Sequence, residues 1–141
     1  MSPAQTFKFV DKIGKSTNAL LLKFFPSDEN FDNTLEAFSA YPEKISSTFK
    51  KQLYLAHKYS KSNTSMLKML PFSDNELKSI SCPVLVLIGD NDVINSDKSL
   101  ERAQTTLVKC NTKIIKDAGH FLSIDQYKAV NEAIITFLKQ N

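Results

Sequence analysis

The sequence predicts an α/β fold: short amphipathic helices, then a strand–helix–strand–helix run with parallel strands. Three observations point there. Val84-Leu85-Val86-Leu87-Ile88 is a continuous apolar run, three of its residues β-branched, entered by Pro83 and left through Gly89-Asp90-Asn91-Asp92. Alternating polarity would mean one wet face, whereas a run this short without alternation means a strand covered on both faces, as in a parallel sheet flanked by helices. Second, Thr112-Lys113-Ile114-Ile115-Lys116 reads as another short strand, separated from the first by a helical pattern. Third, the chain before residue 70 carries phenylalanine-rich stripes at helical spacing with no strand run of comparable strength.

In chain order, Thr6 to Val10 is a candidate extended piece. Ser16 or Thr17 caps a helix carrying Ala19 to Leu22, Phe24 and Phe25, stopped by Pro26. Ser27-Asp28-Glu29 opens the next helix, with Phe31, Leu35 and Phe38 on one face. Pro42 restarts the chain as a third helix whose stripe is Ile45, Phe49, Leu53 and Ala56, ending near Ser60, and residues 61–65 form a polar break. These helices read as a cap, so the expected division is a cap-like region over 1–70 and an α/β core portion over 71–141. Ser73 and Glu76 have the spacing of a capping box for a short helix to Ile80. Pro83 fits at a strand start, where its missing N–H disturbs no ladder bond. Gly89 is read as the residue that lets the chain turn sharply after the strand. Ser96 or Asp97 caps a helix with Leu100, Ala103 and Leu107 on one side, and Ser123 to Gln126 forms a second capping box. The terminal helix that follows is expected to turn Tyr127, Val130, Ile134, Phe137 and Leu138 inward.

Composition narrows the function. With 141 residues and a net charge of +3 the chain has one domain's worth of sequence and no basic stripe interleaved with aromatics, which argues against nucleic-acid binding. No apolar run reaches bilayer-spanning length, and Met1 to Thr6 has neither the basic nor the apolar segment of a secretory signal. Two cysteines without metal-ligand spacing suggest a reduced, cytoplasmic protein, with packing the simpler role for Cys82 and Cys110. His57, on a helix with no ligand partner, reads as a solvated helix residue.

Chemistry collects at the strand ends. A crossover helix makes the two strands neighbours about 4.8 Å apart with both C-terminal ends at one edge, where ligands gather in open α/β sheets. The loops holding Asp92 and His120 are therefore adjacent. Alone, Asp92 would read as a turn aspartate and His120 as a surface histidine. Together a carboxylate and an imidazole make the acid–base pair of a nucleophilic hydrolase. Gly119 lets the chain turn so that His120 points into the cleft. Asp90, Asp97 and Asp117 read as turn residues, and Ser123 as a helix cap rather than a nucleophile.

These residues carry a resemblance. Leu85 to Ile94 (LVLIGDNDVI), then Ala118-Gly119-His120 and a closing amphipathic helix, resemble the C-terminal part of an α/β-hydrolase, and Pro71 to Leu77 resembles the approach to that strand in esterase-like members. The resemblance implies a partial α/β-hydrolase fold in which Asp92 matches the triad acid and His120 the base. It further implies a small-molecule ester-like substrate and no cofactor or metal. The family's nucleophile sits in a G-x-S-x-G elbow, and the only glycines are Gly14, Gly89 and Gly119, so no such elbow can be written. The expectation is the second half of a serine hydrolase, truncated and inactive alone. The alternative is a non-catalytic module: a strand built for two neighbours but supplied with one invites a partner chain or a second copy at its open edge.

Overall fold

The computed structural model of the protein describes Phe25, residues 27–59 and residues 72–141. The extended piece expected at Thr6–Val10, the helix expected before Pro26 and the polar break at 61–65 lie outside the described residues, as does the side chain of His57. Helix α1 spans Asp28–Phe38, a 3-10 turn Pro42–Lys44 and α2 Ser47–Tyr59. Helix α3 (Asp74–Lys78) leads into β1 (Val84–Gly89), followed by α4 (Asp97–Thr106), β2 (Cys110–Ile115), α5 (Leu122–Asp125) and α6 (Tyr127–Gln140). No described helix is long and apolar enough to cross a membrane.

The two strands pair in parallel, in a register running from Val84 opposite Cys110 to Gly89 opposite Ile115. The second strand begins two residues before the expected Thr112, because the Val84 N–H already donates to the Lys109 carbonyl at 2.9 Å. Both faces of β1 carry packing, but unequally: Val86 and Ile88 are buried, whereas Leu85 and Leu87 on the opposite face are half-buried. Val86 and Ile88 pack with Leu77 of α3 and with Leu100, Ala103 and Leu107 of the α4 segment. Leu87 packs on the other side with Ile115, Ala118 and Val130. Leu77 is fully buried and stabilises this layer by about 1.5–3 kcal/mol.

Local signals explain the helix starts. Ser73 accepts the Glu76 N–H, and Glu76 accepts the Ser73 N–H in return, so the expected capping box opens α3. Ser27 accepts the Asn30 N–H at 3.1 Å and caps α1. The helix expected from Pro42 divides instead. Ile45 is extended, and the Ser46 hydroxyl accepts the Phe49 N–H at 3.2 Å, restarting the chain as α2. The buried stripe accordingly shifts: Ile45, Phe49, Leu53 and Tyr54 pack with Phe31 and Leu35, while Ala56 is exposed.

Two further expectations are corrected. Ser123 lies inside α5 and caps nothing; α5 follows Phe121 and α6 follows Gln126, neither with a side-chain cap bond. The break falls at Gln126, whose backbone leaves the helical region at φ −136°, ψ 49°. In α6, Val130 and Ala133 are buried, whereas Tyr127, Ile134 and Leu138 are exposed rather than inward. On the two strands among the described residues, this helix buries one line of residues and leaves its flanks open.

Candidate active site

The C-terminal ends of β1 and β2 are stitched together before any catalytic side chain is considered. Asp90 N–H donates to the Ile115 carbonyl at 3.0 Å and Asn91 N–H to the Ala118 carbonyl at 2.9 Å. The Asp90 carboxylate crosses to the second loop and accepts the N–H groups of Asp117 (3.0 Å) and Ala118 (3.1 Å). The Asp117 N–H bond is the chief reason the Asp90 carboxyl titrates below its ordinary range. Asp90 sits in the turn closed by the Asp92 N–H on the Gly89 carbonyl at 3.1 Å, as expected, and is in addition a cross-loop clamp. Asp117 sits at φ 54°, a left-handed position that aspartate tolerates better than most residues.

Gly89 and Gly119 serve close approach, not the sharp turns expected of them. No described glycine has a positive φ. A Cβ on Gly89 would collide with the Ala118 carbonyl oxygen, and one on Gly119 would lie 2.6 Å from the Phe38 carbonyl oxygen. The first glycine lets the two loops touch. The second lets the end of α1 touch the histidine loop.

Within this frame Asp92 and His120 meet. The Asp92 carboxylate is 2% exposed, and both its oxygens lie 3.2 Å from His120 Nδ1. It also accepts the backbone N–H groups of Ile94 (2.7 Å) and Asn95 (3.0 Å) and the Asn95 side-chain amide (3.1 Å). Burial by itself would raise the Asp92 pKa. The hydrogen bonds from His120, Asn95 and the two backbone amides outweigh it and hold the carboxyl below the ordinary range. An ionised carboxylate only accepts, so the imidazole carries its proton on Nδ1 and presents Nε2 as a base. The His120 side chain is 30% exposed. Phe38 meets its ring edge-on at a centroid distance of 5.4 Å and stacks on Phe121 at 5.8 Å. The arrangement can take a proton at Nε2 and stabilise the resulting imidazolium.

Sequence reasoning placed Asp92 and His120 on adjacent loops, and the structure brings them into contact. It missed Asn95 and Asp125, whose spacing does not distinguish them from surface polar residues. Phe38 reads from its helical stripe as core, with the lining of an acyl-binding cleft as the alternative in a capped hydrolase, and the structure sets it against the His120 ring. Among the described residues no group of three or more histidines, cysteines or acids is placed to hold a metal. Cys110 is half-buried against the α3–α4 layer, and burial pushes its thiol pKa up. Cys82, expected to pack, is exposed.

No protein-family model matches the chain. Over 68 residues it is 38% identical to carboxylesterase YbfK of Bacillus subtilis (strain 168), a match covering 48% of this chain and 23% of that protein. Over 67 residues it is 40% identical to the uncharacterized carboxylesterase nap of the same organism, covering 47% and 22%. Among solved structures, naproxen esterase (carboxylesterase NP) from Bacillus subtilis superposes with a TM-score of 0.81 at 27% identity, over 96% of this chain and 48% of that one. The chain therefore spans about half the length of the solved esterase it matches and a smaller share of the curated relatives.

Proposed function

Because the chain is a member of the α/β-hydrolase superfamily covering part of that fold, we propose that it carries the acid and base of a serine ester hydrolase whose nucleophile lies outside these 141 residues. The observation behind this reading is the Asp92–His120 contact at 3.2 Å, at adjacent parallel strand ends, in a chain similar to carboxylesterases. Residues 1–70 are its cap-like region and 71–141 its core portion. Packing of Phe31, Leu35 and Ile45 with Phe121 and Ile124 supports a cap laid over the histidine loop.

In the completed enzyme, His120 Nε2 removes the serine hydroxyl proton as the oxygen attacks the ester carbonyl. It returns that proton to the departing alcohol. The second half runs in reverse: Nε2 takes a proton from water, hydroxide adds to the acyl carbon, and the serine leaves with the proton. Asp92 keeps the ring in the Nδ1–H tautomer and balances the imidazolium formed twice in the cycle. Donors for the oxyanion come from outside the chain.

The experiment is an assay with p-nitrophenyl esters of the chain alone and joined to a segment supplying a G-x-S-x-G elbow. The expected result is background turnover alone and restored turnover when joined, falling roughly 10⁴-fold or more in His120→Ala. Turnover by the chain alone that vanishes in His120→Ala would refute the division of labour. A joined enzyme indifferent to His120→Ala would refute the role of the base.

A second reading, a non-catalytic module that associates with another copy through an open strand edge, is favoured by the exposed Ile114 on β2 of a sheet with two strands among the described residues. Sedimentation of the chain alone tests it: a dimer weakened by Ile114→Lys supports it, and a monomer at all concentrations counts against it.

A further inference from the structure

Asp125 is 3% exposed, lies outside the Asp92–His120 pair, and is engaged on every side. One oxygen accepts the Gly119 N–H at 2.7 Å and the Ala40 N–H at 2.9 Å. The other accepts the Ser39 hydroxyl, whose oxygen in turn accepts the Tyr41 N–H at 3.1 Å. Beside this network the Phe121 N–H donates to the Phe38 carbonyl at 3.0 Å. The partners fall on two segments far apart in sequence. Ser39 and Ala40 end α1, whereas Gly119 immediately precedes His120.

We propose that Asp125 is a positioning residue, a buried latch that holds the end of α1 on the histidine loop and thereby sets Phe38 against the His120 ring. The chemistry requires a carboxylate-shaped acceptor there. An apolar residue would leave two backbone N–H groups and a hydroxyl buried without partners. Gly119 fits the same logic, since its bare Cα is what allows the Phe38 carbonyl to approach. Without the latch, the aromatic wall of Phe38 leaves the imidazole, and the ring loses one of the contacts that hold its orientation. The proposal rests on His120 acting as base.

The test uses NMR on the full chain. In Asp125→Ala, exchange of the Ala40 and Phe121 amides accelerates about tenfold or more, the Phe38–His120 ring contact is lost, and the β1–β2 ladder amides keep their protection. In Asp125→Asn the amide oxygen still accepts from Gly119 and Ala40, and its NH₂ faces the Ser39 oxygen, so contact and protection are retained. A second measurement needs no variant. In the unaltered chain the Ala40, Gly119 and Phe121 amides should open as one unit, with equal protection, below that of the ladder. The proposal is overturned if Asp125→Ala keeps the ring contact, if protection falls equally across the ladder, or if those three amides open independently. None of these readouts requires turnover. Failure of the restored-activity assay with these contacts behaving as described would strike the proposed function and leave the latch standing.

Discussion

Replacing Gly89 with alanine separates two physical accounts of one residue. If Gly89 only eased a turn, its ordinary φ would make alanine welcome, because a restricted unfolded chain adds about 0.4–1 kcal/mol of stability. The structure predicts the opposite sign. A Cβ there collides with the Ala118 carbonyl oxygen and lies 2.5 Å from that of Gly119. Both are backbone atoms, so no side-chain rotation relieves the overlap and the loops must part. Overpacking of this kind costs about 1–3 kcal/mol, and parting the loops gives up the Asn91-to-Ala118 bond, worth about 1 kcal/mol. Set against the chain-entropy gain, Gly89→Ala is destabilising by about 1–3 kcal/mol, a fall in Tm of roughly 3–10 °C for a chain of this length. Thermal melts of the two proteins measure this directly. The His120 ring signals report whether Asp92 and His120 have separated with the loops. A variant that melts at or above the unaltered protein, with the His120 signals unmoved, would refute close approach as the reason for Gly89.

Other outcomes follow from the same geometry. The Asp92 carboxyl titrates below its ordinary 3.8 in the folded chain, so the unfolded chain takes up the proton first as pH falls. Its stabilisation is therefore complete above about pH 4 and is lost as pH drops through the folded value. Urea denaturation between pH 2 and 6 should show this slope reduced in Asp92→Asn, which also costs about 1–3 kcal/mol at neutral pH; an unchanged slope would exclude Asp92 as its source. Ser73→Ala removes one half of the α3 capping box and should cost about 0.5–2 kcal/mol in the same experiment, whereas Ser123→Ala, where no cap exists, should cost less than about 0.5 kcal/mol. Iodoacetamide at pH 8 should label exposed Cys82 well before Cys110, whose thiol is half-buried and raised in pKa. Mass spectrometry of partly labelled protein reads that order.

The sequence was most legible where one residue type has one physical use. The unbroken Val84–Ile88 run demanded cover on both faces, and it has α3 and α4 on one side and α6 on the other. Leu100, Ala103 and Leu107 are all buried as their spacing implied. The Ser73–Glu76 box closed because both of its bonds are local. It was least legible where two local signals competed or where a distant partner decided. Ser46 ended the helix expected from Pro42 by capping its own. The Ser123–Gln126 pattern failed because Ser123 is already helical and the Gln126 side chain donates to the Asp117 carbonyl at 3.0 Å, a partner outside the box.

From residue order alone came the strand–helix–strand run of residues 84–115, the parallel pairing of its two strands, and the meeting of Asp92 with His120. Each follows from hydrophobic periodicity and from the short distance between neighbouring strands. Only the tertiary structure decided how that meeting is held: Asp90 clamping the opposite loop, Gly89 and Gly119 yielding space to backbone carbonyls, and Asp125 tying the end of α1 to the histidine. Those roles depend on which backbone groups arrive from far along the chain, and a glycine or an aspartate has the same local signature whether or not such a partner comes.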